Sequence, residues 1–239
     1  MKINGTSVLV TGCNGVFGTE ISRRLKSSGL NVVGLSRNRQ CSNKFVDQYI
    51  QISNWDRDSE ILEVSEQLKK FGKFDNVVFC HGAGENISFR FADFTQINET
   101  ASVHFLGVAK LTARLLRNRL VRSPGRFVAI GSISAHMGSV AAPIYGASKA
   151  ALESLFRSLA REYLKKQITF NTIAAGPVKT KLWEGAGESA LKVFDSRTNQ
   201  LGPGSPEDIA NTVEFVLDEE SRFMTGTTLI VDGGSYYMV

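Results

Sequence analysis

The chain lacks any stretch approaching the roughly 20 consecutive apolar residues that a membrane-spanning helix requires. It also lacks repeats, linkers and low-complexity segments. Met1-Lys-Ile-Asn-Gly5 runs directly into an apolar strand pattern, which is expected to leave no room for a signal peptide. Cysteine is scarce. Cys13, Cys41 and Cys80 are odd in number and widely spaced, which speaks against a disulfide framework or a metal site and suits a reducing, cytoplasmic location. Cys13 reads as a small buried residue ahead of an oxidisable thiol. Strong charge of one sign is missing too. The net charge of +5 comes from 28 Lys and Arg interleaved with 23 Asp and Glu. The densest basic group, Arg114, Arg117, Arg119 and Arg122, is spread around a helical pattern without an aromatic stripe. That arrangement suits a solvated or interface helix, so neither nucleic acid nor membrane is expected as a partner.

What is present is a long alternation of strand and helix patterns. With 239 residues and 42% hydrophobic content, the chain can bury one large core. Apolar runs at 7–10, 32–35, 76–80, 127–130, 169–174 and 228–231, with a weaker one at 49–52, predict strands. Helical spacing follows the first strand (Ile21, Leu25, Leu30) and fills 58–71, 94–122, 144–164 and 206–217. This order predicts an α/β fold, a Rossmann-type doubly wound parallel sheet forming a single domain over 1–239. Residues 181–205 break the rhythm and are expected to form a substrate-loop insertion.

Three patterns carry chemistry. The first strand leads into Thr11-Gly12-Cys13-Asn14-Gly15-Val16-Phe17-Gly18 and then a helix. In that context glycines let the backbone approach a pyrophosphate while the helix N-terminus offers unpaired N–H groups. Tyr145 and Lys149, four residues apart, leave one face of a helix, where an ammonium is expected to lower the phenol's pKa from roughly 10. Ser132, at the end of the strand containing Phe127–Ile130, brings a hydroxyl to face that tyrosine. Taken alone, Y-x-x-x-K is as easily an incidental helix pair; its company decides. Third, the second strand ends in Ser36-Arg37 rather than an acidic residue. An acid there would hold ribose hydroxyls, whereas Ser36 and Arg37 suit a 2′-phosphate, so NADP(H) is the expected cofactor.

Together these motifs resemble the short-chain dehydrogenase/reductase family over almost the whole chain, most of all its 3-oxoacyl-carrier-protein reductase-like ketoreductases. Gly12, Asn14, Gly15, Val16, Phe17 and Gly18 match its cofactor loop, and Arg37 its NADP-side basic residue. His81-Gly82-Ala83-Gly84 stands where the family has Asn-Asn-Ala-Gly, and Gln51-Ile52 where an aspartate contacts adenine. Ser132, Tyr145 and Lys149 match the catalytic serine, tyrosine and lysine. Gly176, Val178 and Thr180 match a Pro-Gly-x-Val-x-Thr segment on the nicotinamide side, and 206–210 and 225–234 the C-terminal signature.

There are three departures. The T-G-x-x-G-x-x-G spacing is commoner in the nucleotide-sugar branch. His104 replaces the asparagine that marks a helix kink and a proton relay to the lysine. Ala175 replaces a proline and is expected to loosen the nicotinamide-side loop. The resemblance implies an NADPH-dependent reductase of a small or carrier-bound carbonyl, assembled as a homo-tetramer or homo-dimer. The alternatives are an activated-sugar reductase or epimerase, and a non-catalytic NADP(H)-binding protein.

Overall fold

The computed structural model describes residues 3, 5–82, 89–138, 142–179 and 201–238. Ala83, Thr180 and most of the expected substrate loop lie outside the described residues. Seven strands form one sheet: β1 (Ser7–Thr11), β2 (Asn31–Ser36), β3 (Gln48–Gln51), β4 (Phe74–Phe79), β5 (Val121–Ser132), β6 (Ile168–Ala175) and β7 (Thr228–Val231). They lie in the order β3-β2-β1-β4-β5-β6-β7, and every pair is parallel.

Side-chain alternation sorts the core into two layers. Leu9, Val33, Val77, Phe79 and Phe127 face one side of the sheet with the buried side chains of α2 (Asp58–Leu68), α4 (Gly107–Arg117) and α6 (Pro143–Glu162). Val8, Val10, Val32, Val78, Val128 and Ile173 face the other with α1 (Val16–Ser27) and α7 (Pro206–Leu217). The near-continuous apolar strands of the sequence are those of a sheet covered on both faces. Phe127 stacks on Phe170 at 4.5 Å between ring centroids, and Phe156 of α6 meets Phe170 edge-on at 5.6 Å. Those rings fix α6 against β5 and β6, and so set where Tyr145 stands relative to Ser132.

The helix expected over 94–122 is divided. A capping box of Asp93 and Gln96 starts α3 (Phe94–Ala101), a π-helical segment occupies Ser102–Leu106, and α4 ends at Arg117. Gly107, which follows the π-helical segment, has no room for a side chain: a Cβ there would lie 2.9 Å from the Ser102 carbonyl oxygen and from the ring of buried Trp55. Past Arg117 the backbone turns at Arg119, with φ 54°, and Arg122 already belongs to β5. The other helices differ from expectation only at their ends: α2 gives way to a 3₁₀ turn at Lys69–Phe71, and α6 starts at Pro143, where proline's fixed φ suits a first helical residue.

Ala175, expected to loosen its loop, ends β6 in register with both Ser132 and Val231, and its carbonyl accepts from the Ile133 N–H at 3.1 Å. Without a proline ring, β6 continues to the sheet edge. The arginine group is partly paired: Arg114 meets Glu66 at 3.4 Å and Arg122 meets Asp75 at 3.2 Å. No helix among the described residues is long and apolar enough to cross a membrane.

Candidate active site

Strand order reverses direction between β1 and β4, and the crevice over their carboxyl ends is where doubly wound sheets bind ligands. Gly12 follows β1 with φ +70°, and a Cβ there would stand 2.6 Å from the His81 backbone. At Gly18 a Cβ would stand 2.1 Å from the Gly12 carbonyl oxygen. Both glycines are thus required by close backbone approach. Gly15 caps α1 with no side-chain hydrogen bond, and no acidic residue lies in the first turn, so the helix N-terminus keeps its positive end toward the crevice. Val16 and Phe17 open that turn.

The crevice, about 170 Å³, is lined on one side by Asn14, Ser36 and Arg37 and on the other by Trp55, His81 and Gly82. Ser36 is buried, and its hydroxyl meets Asn14 Nδ2 at 3.0 Å, Tyr49 Oη at 2.9 Å and Asn38 Oδ1 at 3.2 Å. Arg37 is exposed. Gln51 donates through Nε2 to the Arg37 carbonyl at 3.2 Å, and Ile52 beside it is wholly buried. His81 stacks flat on Trp55 at 3.7 Å and shares a 2.6 Å hydrogen bond with Thr11 Oγ1. Burial holds its imidazole well below the usual histidine range, reinforced by the charges of Lys149, His104 and Arg37.

Across the crevice, Ser132 ends β5 and accepts from the Ser134 N–H at 3.2 Å. Tyr145 and Lys149 stand one turn apart on α6, with the ammonium 5.7 Å from the phenol ring centroid. Lys149 Nζ donates to the Ile130 carbonyl at 2.8 Å. The spacing predicts a lowered phenol pKa, but burial pushes Tyr145 up, against a smaller downward pull from the Ser132 hydroxyl. Burial likewise pushes Lys149 down to about 8, against the upward pulls of Cys80 and Glu153. In this interior site the loss of hydration is the largest influence on both groups. His104 lies in the π-helical segment, its ring edge-on to Tyr145 at 4.8 Å. Gly176 donates to the Val231 carbonyl at 2.9 Å, and Val178 forms a β-bridge with Gly204.

Several residues joined the site without a sequence prediction. Trp55 supports His81, and its signal was a lone large aromatic in a polar stretch after a strand. Glu153, buried one turn beyond Lys149, meets His136 Nε2 at 3.1 Å. A charged residue on the apolar stripe of α6 was its signal. A larger cavity of about 700 Å³ lies at the opposite edge of the sheet, around Leu164 and Phe223. It holds none of these groups.

This geometry agrees with comparisons against known proteins. The family model described as enoyl-(acyl carrier protein) reductase matches residues 14–236. The chain belongs to the short-chain dehydrogenase/reductase family. It is 28% identical to 3-oxoacyl-[acyl-carrier-protein] reductase FabG of Buchnera aphidicola from Schizaphis graminum over 243 residues, covering 99% of each chain. The FabG of Escherichia coli K12 matches at 28% over 246 residues, again 99% of each. Among solved structures, a short-chain dehydrogenase/reductase (glucose/ribitol dehydrogenase) of Brucella melitensis superposes with TM-score 0.88 and 24% identity over the whole of both chains. A blue fluorescent protein from a metagenomic library, solved with NADPH, superposes with TM-score 0.87 and 25% identity over 98% of this chain and 99% of that one. As a family member the chain is an oxidoreductase of the carbonyl/alcohol type that uses a nicotinamide cofactor. The residues present fit such a cofactor: Gly12 and Gly18 leave no room for side chains where a pyrophosphate approaches, and α1 points an uncapped N-terminus there.

Proposed function

We propose that the chain is an NADP(H)-dependent ketoreductase whose first substrate class to test is a 3-oxoacyl thioester of the kind named for its FabG relatives. The observation that carries this reading is the meeting of Ser132, Tyr145 and Lys149 at the carboxyl edge of the sheet, beside the glycine loop. Gly12, Asn14, Gly15, Val16, Phe17 and Gly18 would hold the pyrophosphate end. Arg37 would hold a 2′-phosphate, since Ser36 is already engaged by three side chains. Gln51 and Ile52 would border the adenine, His81, Gly82 and Ala83 the ribose, and Gly176, Val178 and Thr180 the nicotinamide. When bound, the dinucleotide supplies or accepts the hydride at the substrate carbon.

Ser132 Oγ donates to the carbonyl oxygen and polarises it. Tyr145, whose raised pKa keeps its proton at neutral pH, delivers that proton to the oxygen as charge develops. Lys149, still mostly protonated at pH 7 with a pKa of about 8, faces the phenol and stabilises the charge left on it. The 181–205 segment is assigned to substrate binding.

The test is NADPH oxidation followed by absorbance, with 3-oxoacyl thioesters, activated sugars, and steroids or quinones as separate arms. Turnover of the thioester alone supports the reading, turnover of the sugar favours an activated-sugar reductase, and binding of NADPH with no turnover in any arm favours a non-catalytic role.

A further inference from the structure

The cavity of about 700 Å³ lies at the amino-terminal ends of β5 and β6, across the sheet from the candidate active site. Arg126 and Thr169 line it and are direct partners in the β5–β6 register. Their side chains therefore stand side by side on one face, on strands about 4.8 Å apart. Arg126 is only 5% exposed, yet its Nε has no hydrogen-bond partner, and no ion pair holds its guanidinium among the described residues. Thr169 Oγ1 is buried and equally unpartnered, whereas the hydroxyl of Thr225, also on the cavity wall, accepts from the Phe170 N–H at 3.1 Å. A guanidinium keeps its proton inside a protein, and burying it unpaired is strongly unfavourable. Elsewhere this fold satisfies its buried ions: Lys149 donates to the Ile130 carbonyl and Glu153 meets His136. Arg126 is the exception, and it faces a cavity.

The other walls are apolar. Ile168 is buried, Leu164 is exposed, and Phe223 is wholly exposed. The backbone that carries Phe223 is tied down: the Met224 N–H donates to the Ser221 carbonyl at 3.0 Å, and Asp218 Oδ1 accepts from the Glu220 N–H at 2.9 Å. An ordered turn thus presents an aromatic ring to solvent beside a buried cation. The volume falls in the range that takes small organic ligands. Charge narrows the choice. Arg222 and Glu219 also line the cavity, and Asp218 and Glu219 partly offset the burial that disfavours the Arg126 charge. With two acids set against two arginines, the site suits one negative charge placed on Arg126 and opposes a dianion. The planar fork of a guanidinium matches a carboxylate, and the Thr169 hydroxyl adds a donor beside it.

We propose that this cavity is a binding site for a monocarboxylate with an apolar body, its carboxylate on Arg126 and Thr169 and its body against Leu164, Ile168 and Phe223. The site shares no residue with the catalytic crevice. It needs no cofactor, so it stands or falls apart from the ketoreductase reading.

The experiment titrates the full chain calorimetrically with decanoate, decanol and decyl phosphate, each below its micellar concentration. We expect decanoate to bind at least about tenfold more tightly than decanol, and more tightly than decyl phosphate. Arg126→Met should weaken decanoate by about tenfold or more and bring it level with decanol. Phe223→Ala changes a wholly exposed side chain, so it should keep the thermal midpoint while weakening decanoate by about threefold or more. Should Arg126→Met fail to fold, Phe223→Ala and the comparison of decanoate with decanol still decide. Equal binding of decanoate and decanol overturns the inference, as does tighter binding of decyl phosphate. Decanoate binding that Phe223→Ala leaves unchanged places the ligand elsewhere and overturns it too. No binding of decanoate leaves the guanidinium to water alone. A dimer by light scattering that Phe223→Asp dissociates, without carboxylate binding, assigns the cavity to a second copy of the chain; either result overturns the proposal.

Discussion

The two sides of the crevice handle charge and polarity in opposite ways. On the side of β2 and β3, polar groups tie surface loops together: Asn14 to Ser36 and Gln40, Tyr49 to Ser36, and Gln51 to Arg37, with the Arg37 guanidinium outside. On the side of β5 and α6, Lys149, Glu153, His104 and Ser132 are all buried. An exposed cation discriminates between ligands by modest, salt-screened amounts. A buried one shifts its own protonation and that of its neighbours strongly. Cofactor choice is therefore expected to be soft and editable on the first side, and proton chemistry stiff and pH-dependent on the second.

The hardest blow to this contrast comes from Tyr145→Phe. Removing only the phenol oxygen on the stiff side should lower turnover by at least about a hundredfold while leaving NADPH binding intact. Near-native turnover on a verified substrate would remove Tyr145 as the acid. It would also end the claim that the buried side carries the proton.

Lys149 tests burial directly. Its pKa in the folded state, about 8, lies below its ordinary 10.5, so between those values the unfolded chain holds more protons and stability rises with pH. Below about pH 8 the cost of burying the ammonium is present in full. Lys149→Met removes that cost and one hydrogen bond to Ile130. We expect it to abolish activity yet be more stable by about 2 kcal/mol at pH 7, with the advantage fading toward pH 10.5. Urea unfolding at several pH values measures this, and a gain independent of pH would show that the ammonium is not the source.

On the soft side, NADPH should bind at least about tenfold more tightly than NADH, and Arg37→Ala should erase most of that preference, an effect of about 1.4 kcal/mol. Raising salt should shrink the native preference as well. Equal native affinity for the two cofactors would mean that Arg37 is only a solvated turn residue.

The sequence made the sheet legible because buried parallel strands read as apolar runs, and the runs at 32–35 and 169–174 needed only a residue or two added at their ends. Glycine and tyrosine–lysine spacing was legible because it encodes local geometry. What stayed hidden depends on distant partners. The π-helical break at Ser102–Leu106 is followed by Gly107, where a Cβ would meet Trp55, about fifty residues away in sequence. The ties of Ser36 to Asn14, Asn38 and Tyr49 likewise depend on residues that only the fold brings together. The phenol's raised pKa follows from burial, which spacing does not report.

The smallest effect asks whether His104 acts by packing or by titration, on the stiff side of the crevice. A Cβ at Gly82 would stand 3.0 Å from His104 Cε1, so two of the three positions where the family has asparagine are filled here as a glycine–histidine pair. Gly82→Ala should cost about 1 kcal/mol of stability, and in a His104→Ala background that cost should vanish, giving a coupling of similar size. With an imidazole that only packs edge-on against Tyr145, His104→Asn should leave the shape of the pH–rate profile unchanged. An ionisation near pH 6.5 that disappears in the Asn variant would instead place the imidazole in the proton relay to Lys149. Additive stability effects of Gly82→Ala and His104→Ala would break the packing pair, and the two measurements fail independently of one another.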